Sequence, residues 1–289
     1  HCDLSATVLL ISDRERLGAV RHLPSVRDLS LRKNLPEPEI SEALEGKREL
    51  ETLSISDNQR LTDLSCLFPV RDWLSVLSIE KCSGIRDLRP LSGFTALYAL
   101  FLDVAHVPPS NWEQIAALPS GLVLLDLGNL PVDGPSLIPP HPGVTHLGLA
   151  SDRPFFLGGL SAWSSLTSLR LSGIKNVNEA LTELQELPRI NEIEFGSFPW
   201  PSGPGDAPPV RSIDNLTVPS PADGGDLSLL RTLFPKTSHL TLQISDHTGK
   251  LDLTSLHDWP GLTVDVRGPE RRVLLGADEL GDRLTAVRY

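Results

Sequence analysis

A nine-residue phrase returns along this 289-residue chain at a nearly constant interval. It reads VRDLSLRKN from Val26, LETLSISDN from Leu50, LSVLSIEKC from Leu74 and LYALFLDVA from Leu97. It continues as LVLLDLGNL from Leu122, VTHLGLASD from Val144, LTSLRLSGI from Leu166 and INEIEFGSF from Ile190. Weaker copies begin at Ile213, Thr237 and Gly261, and a partial copy, ATVLLISDR, begins at Ala6. Successive starts are separated by 20, 24, 24, 23, 25, 22, 22, 24, 23, 24 and 24 residues. One such unit cannot bury its own apolar face. Stacking the units in sequence gives a continuous core, so the period predicts a solenoid that grows by addition.

The phrase has the form L-x-x-L-x-L-x-x-N/C, and in this it resembles the leucine-rich repeat family over nearly the whole chain. The fourth and sixth places are the strongest, as in Leu29 and Leu31, Leu53 and Ile55, Leu77 and Ile79, and Leu169 and Leu171. In the family the ninth place is a polar ladder that bonds backbone groups in the turn after each strand. Asn34, Asn58 and Cys82 fit it, whereas Ala105, Leu130, Ile174 and Phe198 do not. Where the place is apolar, another partner must satisfy those backbone groups.

Leu-x-Leu alternation makes a short strand with one face inward. The return segments carry apolar residues of their own. ISEALEGKREL and VNEALTELQEL have helical spacing, while IRDLRPLSGF contains Pro90 and reads as a 3₁₀ turn. The expected fold class is therefore α/β: a leucine-rich-repeat solenoid, a curved horseshoe with about twelve short parallel strands on its concave face and a mixed helix, 3₁₀ and irregular convex side. The array is expected over residues 1–269. Residues 270–289 break the phrase and are expected to cap the same domain, with Leu274, Leu275, Leu280 and Leu284 folded over the last strand and Arg271, Arg272 and Asp278 outside. The chain opens on His1 with no initiator Met and enters a repeat almost at once, which suggests a piece of a longer protein.

Several function classes fall away. A net charge of −11 opposes phosphate backbones and anionic membranes, so no nucleic-acid partner is expected. No stretch approaches the ~20 apolar residues of a membrane span. Three cysteines, Cys2, Cys66 and Cys82, are too few and odd for a disulfide framework, and read as structural thiols. Twenty of the 26 basic residues are Arg, a bias that with 25 Pro suggests a high-GC genome such as an actinobacterial one. Ser172 to Lys175 and Ser56-Asp57-Asn58 imitate two catalytic motif fragments, but each overlaps the turn of its own repeat and the third fragment is missing. His146 and His239 share a place in the phrase four repeats apart, too far for one metal. The expectation is no catalytic residue, no cofactor and no metal.

Function is then expected on the strand face. Places three, five and seven of the phrase are the columns that the family resemblance puts on the concave side. The middle column runs Ser30, Ser54, Ser78, Phe101, Asp126, Gly148, Arg170, Glu194, Thr217, Thr241 and Asp265. Its character changes at an apolar spot of Val76, Ala99, Phe101 and Leu124, bordered by Glu80, Asp103 and Asp126. An apolar anchor with a charged rim suits a protein contact. These residues fit a separate partner or upstream domains of the same chain equally well. A second candidate is the loop from Phe195 to Val210, where Phe198 and Trp200 stand among Pro and Gly. Phe198 fits a core plug as well as a contact.

A repeat array with a C-terminal cap and none at its start resembles the C-terminal arrays of bacterial NLR-like proteins, the STAND-class NTPases with a NACHT module. That resemblance implies a non-enzymatic, cytoplasmic sensor or autoinhibitory domain of a defence or signalling protein. Alternatives are a free-standing or secreted scaffold or adhesin, and a substrate-recruiting arm of an enzyme whose catalytic domain lies elsewhere.

Overall fold

The computed structural model describes residues 8–23, 25–131, 133–200, 209–221, 226–244, 250–268 and 273–288. Cys2, Arg271, Arg272 and residues 201–208 of the proline-rich loop lie outside the described residues.

The apolar alternation produces one strand per phrase. The chain divides into two compact units, residues 1–131 with 137–148, and residues 132–136 with 149–289. The first holds β1 (Val8–Ile11), β2 (Asp28–Arg32), β3 (Thr52–Ser56), β4 (Val76–Glu80), β5 (Ala99–Asp103), β6 (Leu124–Gly128) and the start of β7 (His146–Phe155). The second continues with β8 (Ser168–Ile174), β9 (Glu192–Phe195), β10 (Asn215–Pro219), β11 (His239–Gln243), β12 (Lys250–Asp252), β13 (Thr263–Arg267), β14 (Val273–Leu275) and β15 (Leu284–Arg288).

Among the described residues, thirteen strands make one open sheet whose order follows the chain from β1 to β11, then β13 and β15. β12 and β14 form a separate parallel pair. The register advances by one phrase per strand. Ser30 stands opposite Ser54, Ser54 opposite Ser78, Ser78 opposite Phe101 and Phe101 opposite Asp126. In the second unit Arg170 stands opposite Glu194, Thr217 opposite Thr241 and Thr241 opposite Asp265.

The core lies under the strands. Leu53, Ile55, Leu77, Leu100 and Leu125 are fully buried, as are Leu169, Leu171, Leu240 and Leu242. Each such side chain is worth about 1.5–3 kcal/mol relative to leaving it in water. The return segments close the other side. α1 (Arg14–Val20) and α2 (Glu37–Leu44) serve the first unit; α3 (Val177–Gln185), α4 (Ser228–Leu233) and α5 (Ala277–Leu280) serve the second. α3 starts where the Asn176 side chain accepts from the N–H groups of Asn178 and Glu179. Between them, 3₁₀ turns take over at Leu64–Val70, which contains Pro69, at Arg89–Gly93, which contains Pro90, and at Pro109–Ala117. Among the described residues no helix is long and apolar enough to cross a membrane.

Polar bonds between consecutive repeats fix the stack. Asn58 is wholly buried; its Nδ2 donates to the Leu35 carbonyl at 2.9 Å and its Oδ1 accepts the Arg60 N–H at 3.0 Å. The Cys82 thiol faces the Ile55 and Glu80 carbonyls. Where the ladder place is apolar, other side chains take over. Asp103 accepts the Ala105 N–H, Gln114 accepts the Leu88 N–H and Ser197 accepts the Gly173 N–H. On the return side, buried Lys47 donates to the Arg21 carbonyl at the end of α1, and the Trp73 indole donates to the Lys47 carbonyl. Burial pushes the Lys47 ammonium below its ordinary pKa.

Two features differ from the sequence reading. Lys33, Asp57, Lys81 and Asn129, all at the eighth place of the phrase, have φ between 53° and 66°, and Gly173 at the same place has φ 89°. A left-handed residue ends these strands and turns the chain into the return segment. The second difference is the thirteenth strand, against about twelve expected. β15 lies within the segment expected to cap the array, and it pairs parallel with β13 after a register shift at Val264/Asp265. Of the four leucines expected to fold over the last strand, Leu280 is buried, Leu274 and Leu284 are half-buried, and Leu275 is exposed.

Candidate partner-binding face

Because side chains alternate along a strand, places four and six enter the core and places three, five and seven stand on the opposite face. The register converts the sequence columns into neighbours. Val76, Ala99 and Leu124 form one row, two positions before the row of Ser78, Phe101 and Asp126. Val76, Phe101 and Leu124 are half-buried. Ala99 is sunk to 5% exposure, so it supplies backing and almost no contact surface.

The acidic rim has internal work as well as surface. Glu80 is exposed and accepts the Ser78 hydroxyl at 3.0 Å. Asp103 accepts the Lys81 N–H at 3.3 Å and the Ala105 N–H at 3.0 Å, so it organises two turns. The Asp126 carboxylate lies over Gly148, in the room a side chain there would need. Over β3 to β6 the three columns hold these three acids and no base.

Two exposed apolar residues of the strand region lie outside the candidate set. Tyr98 occupies the second place of its phrase and is 50% exposed, one residue before the Val76, Ala99 and Leu124 row. Leu10 is 52% exposed and stands opposite Ser30, which puts it in the middle column.

The loop candidate behaves differently. Phe198 is 6% exposed and packs edge-on between Phe195, with centroids 4.9 Å apart, and Trp200, at 5.0 Å. It extends the apolar interior beyond β9. Trp200 is half-buried, and its Nε1 has no hydrogen-bond partner among the described residues.

The tempting catalytic fragments serve the fold. Asp57 is the left-handed turn residue, Asn58 is the buried ladder side chain and the Lys175 ammonium sits 4.4 Å from the Phe156 ring centroid. His146 is bonded to the Thr145 hydroxyl and His239 to the Thr263 hydroxyl. Among the described residues no group of three His, Cys, Asp or Glu side chains could hold a metal.

The second unit carries a polar network that sequence columns alone do not reveal. Asp265, buried at 6% exposure, accepts the Thr285 hydroxyl, lies 3.2 Å from the Arg267 guanidinium and 3.7 Å from His239 Nε2. The Thr285 hydroxyl is the largest influence that holds its carboxyl below the usual range; Arg267 and His239 add to it against burial. This network ties β15 to β13 and β11.

Strand order, phrase-by-phrase register and the buried ladder decide the architecture. The fold is a leucine-rich-repeat solenoid. No family model matches the chain, and no curated protein matches it. Among solved structures, an internalin (inlF) from Listeria monocytogenes is similar at 16% identity over 93% of this chain and 69% of its own, with a TM-score of 0.43. Internalin C2 from the same organism is similar at 14% identity over 99% of this chain and 78% of its own, with a TM-score of 0.24. TLR13, in its complex with ssRNA13, is similar at 17% identity over 99% of this chain, which spans 49% of the TLR13 chain, with a TM-score of 0.49.

Proposed function

We propose that this leucine-rich-repeat chain is a non-enzymatic recognition module that holds a protein segment against the strand face around Phe101. The segment belongs to a separate protein or to another part of the same longer chain. We read residues 1–269 as the array, residues 270–289 as its cap, and the whole as the C-terminal sensor or autoinhibitory part of a cytoplasmic, bacterial NLR-like protein of the NACHT/STAND class.

The observation that carries the binding reading is Phe101 itself. It is the one aromatic in the three columns of β2 to β6, half-buried on a face otherwise of small, aliphatic and acidic side chains with Arg32 on β2. Apolar anchors with polar rims concentrate binding energy in few residues. The NLR-like assignment is supported by repeat style. An array that binds one state of an attached NTPase better than the other would bias its switching.

The native gene product tests both layers. The reading expects a product longer than 289 residues with a phosphate-binding P-loop upstream, whose nucleotide turnover changes on Phe101→Glu. An export signal directly ahead of His1 contradicts the sensor role. Turnover and contacts that are all indifferent to Phe101→Glu contradict the binding face.

A further inference from the structure

The middle column of the first unit runs Leu10, Ser30, Ser54, Ser78, Phe101 across β1 to β5, each residue in register with the next. It begins on a leucine that is 52% exposed, crosses three half-buried serines and ends on the half-buried Phe101. Four strand spacings separate the two apolar ends, about 19 Å at ~4.8 Å per strand. Extended chain covers that distance in about six residues at ~3.3 Å each. The serines leave a low floor between the ends, with no side chain larger than a hydroxymethyl to block a passing backbone.

Charge around the two ends differs. At the Leu10 end, Asp28 and Arg32 flank Ser30 on its own strand and offset one another. At the Phe101 end, Glu80 and Asp103 stand in the seventh-place column, and the columns of β3 to β6 hold no base. Aromatic faces among carboxylates favour a cation as well as an apolar group.

Resting on the binding reading above, we infer that the occupant is an extended peptide segment lying across β1 to β5. It places one apolar side chain at Leu10 and a second, about six residues away, at Phe101. A lysine or arginine beside the second apolar residue meets Glu80, exposed on the strand next to Phe101.

Synthetic peptides carrying two leucines at varied separation, with arginine, glutamine or glutamate beside one of them, test this on the full chain by fluorescence anisotropy. Affinity is expected to peak at a separation of about six residues. It should fall roughly tenfold on either Leu10→Ser or Phe101→Ser, the effect of losing one buried anchor. Arginine should bind better than glutamine and glutamine better than glutamate, with the difference shrinking as salt rises. Ser54→Trp should block the two-leucine peptides while leaving single-leucine binding at Phe101 intact; thermal melts of all variants check that the fold survives. Affinity indifferent to leucine separation and to Leu10→Ser, yet lost on Phe101→Ser, overturns the two-anchor inference and leaves the Phe101 face standing. Binding indifferent to Phe101→Ser overturns both. Concentration-dependent self-association that Phe101→Ser abolishes makes the occupant a second copy and overturns the inference.

Discussion

The carboxylate of Asp126 fills the place of a side chain at position 148: a Cβ built on Gly148 falls 2.2 Å from Asp126 Oδ2. The obstacle is the far end of a rotatable side chain, so Gly148→Ala is expected to change stability by less than about 1 kcal/mol while swinging Asp126 off the face. Gly173→Ala is the contrast. There φ is +89° and the new Cβ meets the Ser151 carbonyl oxygen of the backbone at 2.1 Å, so a cost of about 2–4 kcal/mol is expected. Urea denaturation of the two variants separates the cases.

Asn58→Ala removes the ladder side chain that satisfies the Leu35 carbonyl and the Arg60 N–H. Both groups sit where water is excluded or restricted, so the expected loss is about 1–3 kcal/mol, seen as a lower urea midpoint at unchanged slope. Asn58→Asp keeps the acceptor, loses the donor to Leu35 and buries a charge. It is expected to be the worse of the two near neutral pH and to recover part of its loss on acidification.

Asp265 links the C-terminal strand to acid sensitivity. Its folded-state pKa is held below the usual carboxylate range, first by the Thr285 hydroxyl and then by Arg267 and His239. A depressed folded pKa contributes stability that is fully present above the ordinary value of about 4 and is lost as pH falls through the folded value. Stability measured by urea between pH 7 and pH 3 is therefore expected to fall at the acid end. Asp265→Asn should flatten part of that fall, and Thr285→Val should weaken the contribution and leave the sign unchanged. Glu37 adds to the same trend. Burial raises its pKa, but the N–H groups of Thr62 and Asp63 lower it further, and the net shift is downward.

Burial pushes the Cys66 thiol up to about 12, with Glu37 and Asp63 adding to it, and pushes Cys82 up to about 11. The thiolate is the reactive form. In a Cys2→Ser background, neither thiol is expected to react with a disulfide reagent at pH 8 at the rate of a free cysteine, and both should do so in urea. Rapid labelling of the native chain would place the labelled thiol outside the packed interior.

Much of the fold was legible because the phrase carries two periods at once. The two-residue alternation sets the face and the repeat of about 24 sets the neighbour. Together they predict the row Ser54, Ser78, Phe101, Asp126 and the row Thr217, Thr241, Asp265, and the register reproduces both. Pro90 likewise marked its 3₁₀ turn. β15 was not legible, since LTAVR lacks the phrase and is held by Asp265 some 20 residues earlier, a bond no local pattern encodes. The depth of Ala99 was hidden as well. A short side chain in the right column can still be covered by its neighbours. Tyr98 sits at a place that belongs to no column, so only its exposure in the structure brings it forward.

The most direct test of the central claim places a photo-crosslinking phenylalanine at position 101 of the native gene product, with the same probe at Phe68 as control. Phe68 is 38% exposed in the return turn Leu64–Val70, away from the strand face. The account predicts that position 101 crosslinks to one defined polypeptide segment, upstream in the same chain or in a partner, and that position 68 does not. Equal crosslinking from both positions, or none from position 101 under conditions where the protein is active, would contradict it.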